Sequence, residues 1–433
     1  MKTVRKMIKY NCWRWFAICA KIIRHSRHGL QIRASGMTVC NVKGHGLPIR
    51  TSWSYGHFSC LAALLLVGCI SVFVPPDDMK EMAGLLVVDG VILEEGTRIT
   101  LSRTVKLNEE NLAEFYLFED INHAKIHVID ENLNTIAVAT QEYSWGPYIV
   151  KEKISFVPGM KYALDIQTSD FKHYRSAFVT PMSSPEIDSV SYQIKDGHSI
   201  DFFVSTHDPT NQTNCFMWDF EEVWEIRSKY FMSLMYDLFS KTFSIPQSLN
   251  GDNRHYCWAS DYSKSLMVAS SQKYTGTVIR NHKIHSIQPG TSRYSYLYCL
   301  SVRQYGLDDE AYLYFENLQK NLDEGGSLFA PQPSEIAGNI ECLSDPEVKV
   351  IGYIFASKAS SFRLYVPMAQ HDLSWFEDQI DCSNTSGMPD NQEIAYGWGL
   401  GLLGNEYIRR SCLDCTMRGG SKIKPDYWPN DHQ

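Results

Sequence analysis

Short alternating runs of apolar and polar residues dominate the chain between residues 85 and 181. Turn residues separate these runs at fairly even spacing, and a half-buried β-strand alternates with a period of two, so each run predicts a strand. The runs are 85–88, 98–105, 124–129, 135–140, 148–156, 161–168 and 176–179. Seven short strands in about a hundred residues are typical of an immunoglobulin-like sandwich.

Within this predicted sandwich, a turn formed by Val157, Pro158 and Gly159 is followed by Tyr162. Such sandwiches often place a tyrosine there that bonds the backbone at a corner. A simply buried aromatic ring is the second interpretation.

A second β-rich unit is predicted over residues 186–370, after the linker Pro-Met-Ser-Ser-Pro at 181–185. Its strands are expected at 189–195, 199–206, 265–270, 276–279, 294–304, 348–355 and 361–366. Phe216 to Ile226 is rich in tryptophan and acid. The predicted fold class is therefore mainly β, with tandem immunoglobulin- or fibronectin-like sandwich domains.

One helix is predicted at 308–324, because Asp308 can cap its first turn and two glycines follow its end. Apolar residues at helical spacing are expected to face a core, namely Ala311, Phe315, Leu318 and Leu322. Residues 371–433 are rich in Cys and Gly and show no period.

The first 68 residues contain eleven Lys and Arg and no Asp or Glu. A charge-free run follows the basic stretch, and its most apolar part is 58–67. A basic segment followed by a short apolar segment is typical of an export signal. About ten apolar residues are too few for a bilayer, which needs roughly 20. Leu66, Val67, Gly68 and Cys69 resemble the lipobox of bacterial lipoproteins, which implies that Cys69 is lipidated and begins the mature chain.

An uncleaved signal anchor is the competing interpretation, because apolar character continues to residue 74. Residues 1–36 have two interpretations, an artefact of start-site choice or a basic cytoplasmic segment. Residues 69–84, which include Pro75, Pro76, Asp77 and Asp78, are expected to tether the lipid to the body.

Charge and motifs exclude several classes of function. After residue 68 the chain carries 30 basic and 49 acidic residues, a net charge of −19, so nucleic acid is not an expected partner. The HExxH, GxSxG and P-loop patterns are absent from the sequence. Residues 399–404 match a dinucleotide fingerprint formally, but only 29 residues follow, too few for a nucleotide-binding fold. No cofactor, catalytic residue or resident metal is expected.

The motif Cys412-x-x-Cys415 has three interpretations. Thiol exchange would need a strand before it and a helix after it. Zinc binding would need further ligands such as Cys382, Cys342 or His371. A structural disulfide from Cys382 to Cys412 or Cys415 is favoured, because it would staple a segment that lacks a periodic core pattern. Seven cysteines follow the lipobox, so at least one is unpaired within the chain.

The candidate binding surface consists of Trp218, Glu221, Glu222 and Trp224. In a strand, Phe220 and Glu222 share a face with the two tryptophans. An aromatic and acidic surface can bind sugar rings or a cationic ligand. A sandwich core with a polar rim explains the same residues.

The strongest family signal lies in residues 298–366, which include Ser301-Val302-Arg303-Gln304-Tyr305, Gly326-Ser327-Leu328-Phe329, Gly338-Asn339-Ile340 and Gly352-Tyr353. Cys412 to Trp428 and Val88-Asp89-Gly90 add to it. With the lipobox, these motifs make the chain similar to the Bacteroidota envelope lipoproteins grouped as domain of unknown function 4249.

That resemblance implies an outer-membrane lipoprotein, often encoded beside a TonB-dependent transporter, in a family without an established activity. The leading hypothesis is therefore a non-enzymatic lipid-anchored protein that binds a ligand or partner as an accessory of such a transporter. A hydrolase of envelope or imported polymers, with Glu221 and Glu222 as acid and base, is the alternative and requires a deep cleft. A purely structural or adhesive role is the third. The sequence leaves the side of the membrane undecided.

Overall fold

The structure is a computed structural model that describes residues 84–105, 118–143, 146–195, 199–232, 234–237, 242–244, 254–272, 278–294, 296–324, 337–368, 382, 398–400 and 407–429. All of the described residues belong to one compact unit, 75–433. The lipobox with Cys69, residues 69–83 of the tether and His371 lie outside the described residues. None of the helices in the described ranges has the length and apolar character needed to cross a bilayer.

The strands of the first half are β1 (Leu86–Leu93), β2 (Arg98–Thr104), β3 (Phe118–Asp120), β4 (Lys125–Asp130), β5 (Thr135–Gln141), β6 (Tyr148–Val150), β7 (Tyr162–Gln167), β8 (His173–Ser176), β9 (Met182–Ser183), β10 (Ile187–Ile194) and β11 (Ile200–His207). Those of the second half are β12 (Cys215–Arg227), β13 (Leu234–Asp237), β14 (Thr242–Ser244), β15 (Tyr256–Tyr262), β16 (Met267–Ser270), β17 (Val278–Ile287), β18 (Leu297–Leu307), β19 (Ile340–Cys342), β20 (Val350–Ile351), β21 (Ala356–Lys358), β22 (Ser360–Pro367), β23 (Trp398–Leu400) and β24 (Tyr407–Arg409). Helix α1 spans Asp309–Glu324, and short 3-10 turns span Ser292–Tyr294, Arg410–Cys412 and Cys415–Arg418.

The first sheet has twelve strands in the order β19-β8-β7-β4-β5-β6-β2-β1-β21-β9, with β20 beside β1 and β3 beside β2. Alternate residues of its strands meet in one core, to which β4 contributes Ile126 and Val128. The period-two pattern thus places its apolar positions on a single buried face. The prediction of a mainly β fold is confirmed.

Tyr162 shows that the predicted corner exists. Its side chain is buried, and its hydroxyl accepts a hydrogen bond from the Val157 backbone N–H at 2.8 Å. The Phe156 ring lies 5.1 Å from the Tyr162 ring. Both interpretations of Tyr162 therefore hold together, because the ring fills the core while its polar tip bonds the turn.

The chain returns to the first sheet after α1, where β19 pairs with β8 and both β20 and β21 run parallel to β1. The strand predicted at 348–355 is interrupted, because Gly352 has a φ of 136°. A Cβ atom on Gly352 would collide with the Val88 carbonyl, and one on Gly338 with the Gly352 carbonyl. Asn339 accepts from the Ile354 N–H at 2.8 Å and donates to the Ile354 carbonyl at 2.7 Å. The family motifs at 338–340 and 352–353 thus fasten this return segment to β1.

The second β-rich unit stacks two sheets, β10-β11-β17 and β15-β12-β18-β22, with β16 also paired to β12. Ile200 and Phe202 from the first meet Phe216 and Leu300 from the second in a shared core. Strands β14, β13, β23 and β24 form a further small sheet in that order.

Helix α1 begins as predicted, since the Asp308 side chain accepts a hydrogen bond from the Ala311 N–H at 2.8 Å. Ala311 is fully buried, and Phe315 packs against the same cluster. The prediction that Leu322 faces the core is wrong, because its side chain is 65% exposed.

Two disulfides hold the C-terminal segment. Cys382 bonds to Cys412, one of the two predicted pairings, and Cys415 bonds to Cys257, which is 158 residues away in sequence. The two sulfurs of the Cys412-x-x-Cys415 motif therefore serve separate bonds, which corrects the thiol-exchange and zinc interpretations. Within the described ranges, the unpaired cysteines are buried, namely Cys215, Cys299 and Cys342.

Candidate functional site

A cleft of about 660 Å³ lies between the edges of the two stacked sheets. Residues 283–288, from β17 and the turn after it, form one side, and residues 261–262 and 264–267, from β15 to β16, form the other. Phe220 and Glu222 of β12 form its buried base. Arg293, Thr291 and Gln319 complete the lining.

The Glu222 carboxylate is the central charge of this cleft. Only 3% of its side chain is exposed. It accepts hydrogen bonds from Arg293 Nε at 2.9 Å, from the Tyr298 hydroxyl at 2.8 Å and from His285 Nε2 at 3.2 Å. A carboxylate so deeply buried is stable as a charge only when its oxygens are satisfied in this way.

The partners decide the ionisation of Glu222. Burial by itself would raise the pKa of its carboxyl, but hydrogen bonds from His285, Arg293 and Tyr298 outweigh burial and hold the pKa below its ordinary value. Burial, together with the nearby Glu222 charge, raises the pKa of the Tyr298 phenol well above its ordinary value. Glu222 is therefore an anion at neutral pH, and Tyr298 is a hydrogen-bond donor.

Arg293 connects this base to the rim of the cleft. Its guanidinium lies 4.3 Å above the Trp224 ring and donates to Asp261 at 3.1 Å. Lys264 also donates to Asp261, at 2.9 Å. That bond is the largest of several that keep the pKa of Asp261 below its ordinary value. The rim thus carries ion pairs that water can reach.

Strand register explains why these groups meet. β12 and β15 pair antiparallel with Glu222 opposite Asp261, which places both carboxylates on the same face. The 3-10 turn Ser292–Tyr294 follows β17 and carries Arg293 back over that face. His285 comes from the facing sheet, where its ring packs 4.4 Å from the Phe220 ring.

The four residues of the predicted binding surface have different positions. Trp218 and Trp224 are 2% and 8% exposed and belong to the core between the sheets, so they do not form a solvent-exposed aromatic surface. Trp218 stacks on His282 at 5.0 Å and donates to Gln304 at 2.9 Å. The core interpretation describes both tryptophans, because the facing sheet covers their side of β12.

Glu221 projects from the opposite face of β12, as adjacent residues of a strand do. It is half-buried and lies in register with Tyr262. Burial is the main cause that raises the pKa of the Tyr262 phenol, and the Glu221 charge is the second. Glu221 and Glu222 therefore do not converge on a common point.

Sequence reasoning did not assign His285, Arg293 or Tyr298 to a site. They are 63 to 76 residues from Glu222, and no local pattern joins them to it. The available signal was Glu222 itself, an acid placed on an apolar face of a strand. Such a residue needs buried partners, although its sequence position does not identify them.

A second cavity, of about 790 Å³, lies beside the first turn of α1. Two of the three acids that line it have structural partners: Asp308 caps α1, and Asp309 accepts from Gln272 at 2.5 Å. The described residues contain no group of three or more His, Cys, Asp or Glu able to hold a metal ion. The cleft at Glu222 is the better candidate, because a buried charge and an apolar wall meet there.

Fold and site together define the class of this protein. It is a mainly β protein of stacked sheets, with a cleft lined by ion pairs in its second β-rich unit. The chain belongs to the family described as domain of unknown function (DUF4249), whose model matches residues 74–363. No curated protein is a significant match to it. Among solved structures, it is similar at 9% identity to one titled "The Enterococcus faecalis MSCRAMM ACE binds its ligands by the collagen Hug Model". That similarity covers 64% of this chain and 98% of the other. Its TM-score of 0.12 is too low to indicate a shared fold.

Proposed function

We propose that this chain is a lipid-anchored outer-membrane protein that binds a partner at the Glu222 cleft and serves as an accessory of a TonB-dependent transporter. The cleft is the observation that carries the binding role. Its base is preorganised by an ion-pair network, and its wall is apolar at Met267, Ile284 and Ile287. Such a combination of apolar surface with a few placed polar groups is typical of binding sites. The anchor and the transporter are proposed from the lipobox and the family resemblance.

The cleft geometry favours binding over hydrolysis. A hydrolase that uses Glu221 and Glu222 needs both carboxylates beside one scissile bond. These side chains occupy opposite faces of β12, and hydrogen bonds from three side chains engage Glu222. A group with a lowered pKa is also a poor general acid.

A pull-down from detergent-solubilised outer membranes tests the proposal, with the tagged full-length chain as bait and mass spectrometry as readout. Ser265 is exposed and lines the cleft, so Ser265→Trp should fill the cleft without disturbing the core. Ser189→Trp is the matched control, since Ser189 is exposed on β10 and is not among the residues that line the cleft.

Stoichiometric recovery of a TonB-dependent transporter by the wild-type chain and by Ser189→Trp, with loss for Ser265→Trp, is the expected result. Equal recovery by all three would move the binding site away from the cleft. No recovery by the wild type would remove the transporter from the proposal. Separately, Cys69→Ala should release the protein from the membrane fraction, and retention there would favour the uncleaved signal anchor.

A further inference from the structure

The turn between β7 and β8 carries an exposed aromatic ring on an unusual backbone conformation. Phe171 has a φ of 63°, and its side chain is 84% exposed. The turn is closed by hydrogen bonds from the Thr168 N–H to the Lys172 carbonyl and from the Phe171 N–H to the Thr168 carbonyl, both at 3.0 Å. A positive φ favours Gly or Asn, and an exposed ring gains nothing from burial within the folded chain. Neither the backbone of the turn nor the core of the sheet therefore accounts for Phe171.

Two further apolar side chains lie at the same end of the first sheet. Leu343 is 41% exposed, and its N–H donates to the carbonyl of His173, two residues after Phe171, at 2.7 Å. Tyr143 is 63% exposed and follows β5, whose end lies beside the start of β4, which in turn pairs with the end of β7. Phe171, Leu343 and Tyr143 together are called the apolar tip. Single exposed apolar residues need no explanation, but several at one end of a sheet indicate a surface that meets something other than water.

The chain enters the sheet at this same end. Arg103, near the end of β2, donates to Asp170 in the turn at 2.6 Å, and the Gly84 N–H donates to the Thr104 carbonyl at 2.7 Å. Fifteen residues, 69–83, precede Gly84 in the sequence as far back as Cys69. A segment of that length spans at most about 50 Å even when it is fully extended. An anchor at or just after Cys69 therefore keeps this end of the sheet close to the membrane.

The turn between β4 and β5 provides a comparison within the same sheet. Leu133 has a φ of 66° and is 59% exposed, and its N–H donates to the Asp130 carbonyl at 2.9 Å. Because β4 and β7 are antiparallel with Asp130 opposite Tyr162, this turn lies at the other end of the sheet. Conformation and exposure are shared by Phe171 and Leu133, and nearness to the anchor distinguishes them. The anchor, rather than the turn, therefore identifies what the apolar tip meets.

We propose that the apolar tip inserts into the interface of the membrane to which the chain is anchored and holds the first sheet against the bilayer. The inference rests on the anchoring part of the proposed function, by a lipidated Cys69 or by an uncleaved signal anchor, and not on the Glu222 cleft. Apolar side chains of proteins that lie on a membrane enter the boundary between headgroups and acyl chains to a depth of about 5–10 Å. Insertion removes from water the ring that the folded chain leaves exposed.

Fluorescence quenching by brominated acyl chains tests the proposal. The full chain, as the cell processes it, is purified from solubilised outer membranes and reconstituted into phosphatidylcholine vesicles. Phe171→Trp places a reporter in the apolar tip, and Leu133→Trp is the matched control at the opposite end of the sheet. After subtraction of the wild-type emission, we expect the tryptophan added at position 171 to be quenched at least about threefold more strongly than the one added at position 133.

A charge at the apolar tip supplies the second measurement. Phe171→Asp should prevent insertion, because a carboxylate is costly to bring into the bilayer. With Leu343→Trp as the reporter, Phe171→Asp should reduce quenching at least about twofold, whereas Leu133→Asp should leave it unchanged. Both aspartates replace exposed residues of similar turns, so a difference between them reports position and not a general effect on folding.

Equal quenching at positions 171 and 133 would overturn the inference, as would full quenching of the Leu343→Trp reporter in the presence of Phe171→Asp. Loss of transporter capture by Phe171→Asp, without quenching at position 171, would assign the apolar tip to a protein partner and also overturn it. Flotation of the vesicles separates failure of the proposed function. A chain that does not float with them has no anchor, and both proposals fail. A chain that floats and captures the transporter, but is not quenched at position 171, defeats the insertion inference alone.

Discussion

The carboxylate of Glu222 lies 2.8 Å from the guanidinium of Arg293, although 71 residues separate them in sequence. Glu222→Gln would remove the buried negative charge that pairs with Arg293 and accepts hydrogen bonds from His285 and Tyr298. We expect a loss of about 3 kcal/mol in the free energy of unfolding, as for other broken buried pairs. Urea denaturation measures it, and Glu221→Gln on the opposite face is the control, with an expected loss under about 1 kcal/mol.

The ion pair of Glu222 also predicts that the free energy of unfolding depends on pH. The folded-state pKa of Glu222 is below its ordinary value of 4.5, so its stabilising contribution is complete above about pH 4.5 and is lost as pH falls through the lowered pKa. Other carboxylates, including Asp261, contribute slopes of the same sign. The difference between wild type and Glu222→Gln should therefore shrink as pH falls below about 4.5. A difference that is constant down to pH 2 would contradict the ion-pair account.

Gly352→Ala should be strongly destabilising. The new Cβ would meet the Val88 carbonyl, and the backbone has a φ of 136°, which side chains rarely adopt. We expect a loss of at least about 3 kcal/mol in unfolding free energy. Gly159→Ala is the control, since Gly159 has a φ of 81° but open space around it, and should cost about 1 kcal/mol. Similar losses for both would show that the contact between β1 and the return segment is not tight.

The two disulfides should differ in their effect on stability. Cys257 and Cys415 are 158 residues apart, and Cys382 and Cys412 are 30 apart. Loop-closure entropy then predicts losses of about 5 kcal/mol for Cys415→Ala and about 4 kcal/mol for Cys412→Ala. Denaturation under non-reducing conditions checks the order. A larger loss for Cys412→Ala would mean that local packing, rather than loop length, sets the contribution.

Tyr162→Phe isolates the corner hydrogen bond while keeping the ring. The Val157 N–H would lose its acceptor, and we expect a loss of about 1–2 kcal/mol in unfolding free energy. Tyr143→Phe is a control, because the Tyr143 ring is 63% exposed, and should change stability by less than about 0.5 kcal/mol. No loss for Tyr162→Phe would indicate that water replaces the hydroxyl.

The sequence by itself determined the class of the fold. Period-two alternation predicted strands such as β4 and β7, and Asp308 followed by helical spacing predicted α1, because these signals depend on neighbours within a few residues. The common face of Trp218, Phe220, Glu222 and Trp224 followed from the same local rule.

Only the tertiary structure decided what that face does. Whether it meets solvent or a second sheet depends on β11 and β17, which pack over it and bury Trp218. Tyr298 reaches Glu222 through the pairing of β12 with β18, whereas His285 comes from the facing sheet and Arg293 from the turn after β17, all more than sixty residues away in sequence. The partner of Cys415 was equally unpredictable from spacing. Local pattern specifies which face of an element is apolar, but only the packing of elements that are distant in sequence specifies what lies against that face.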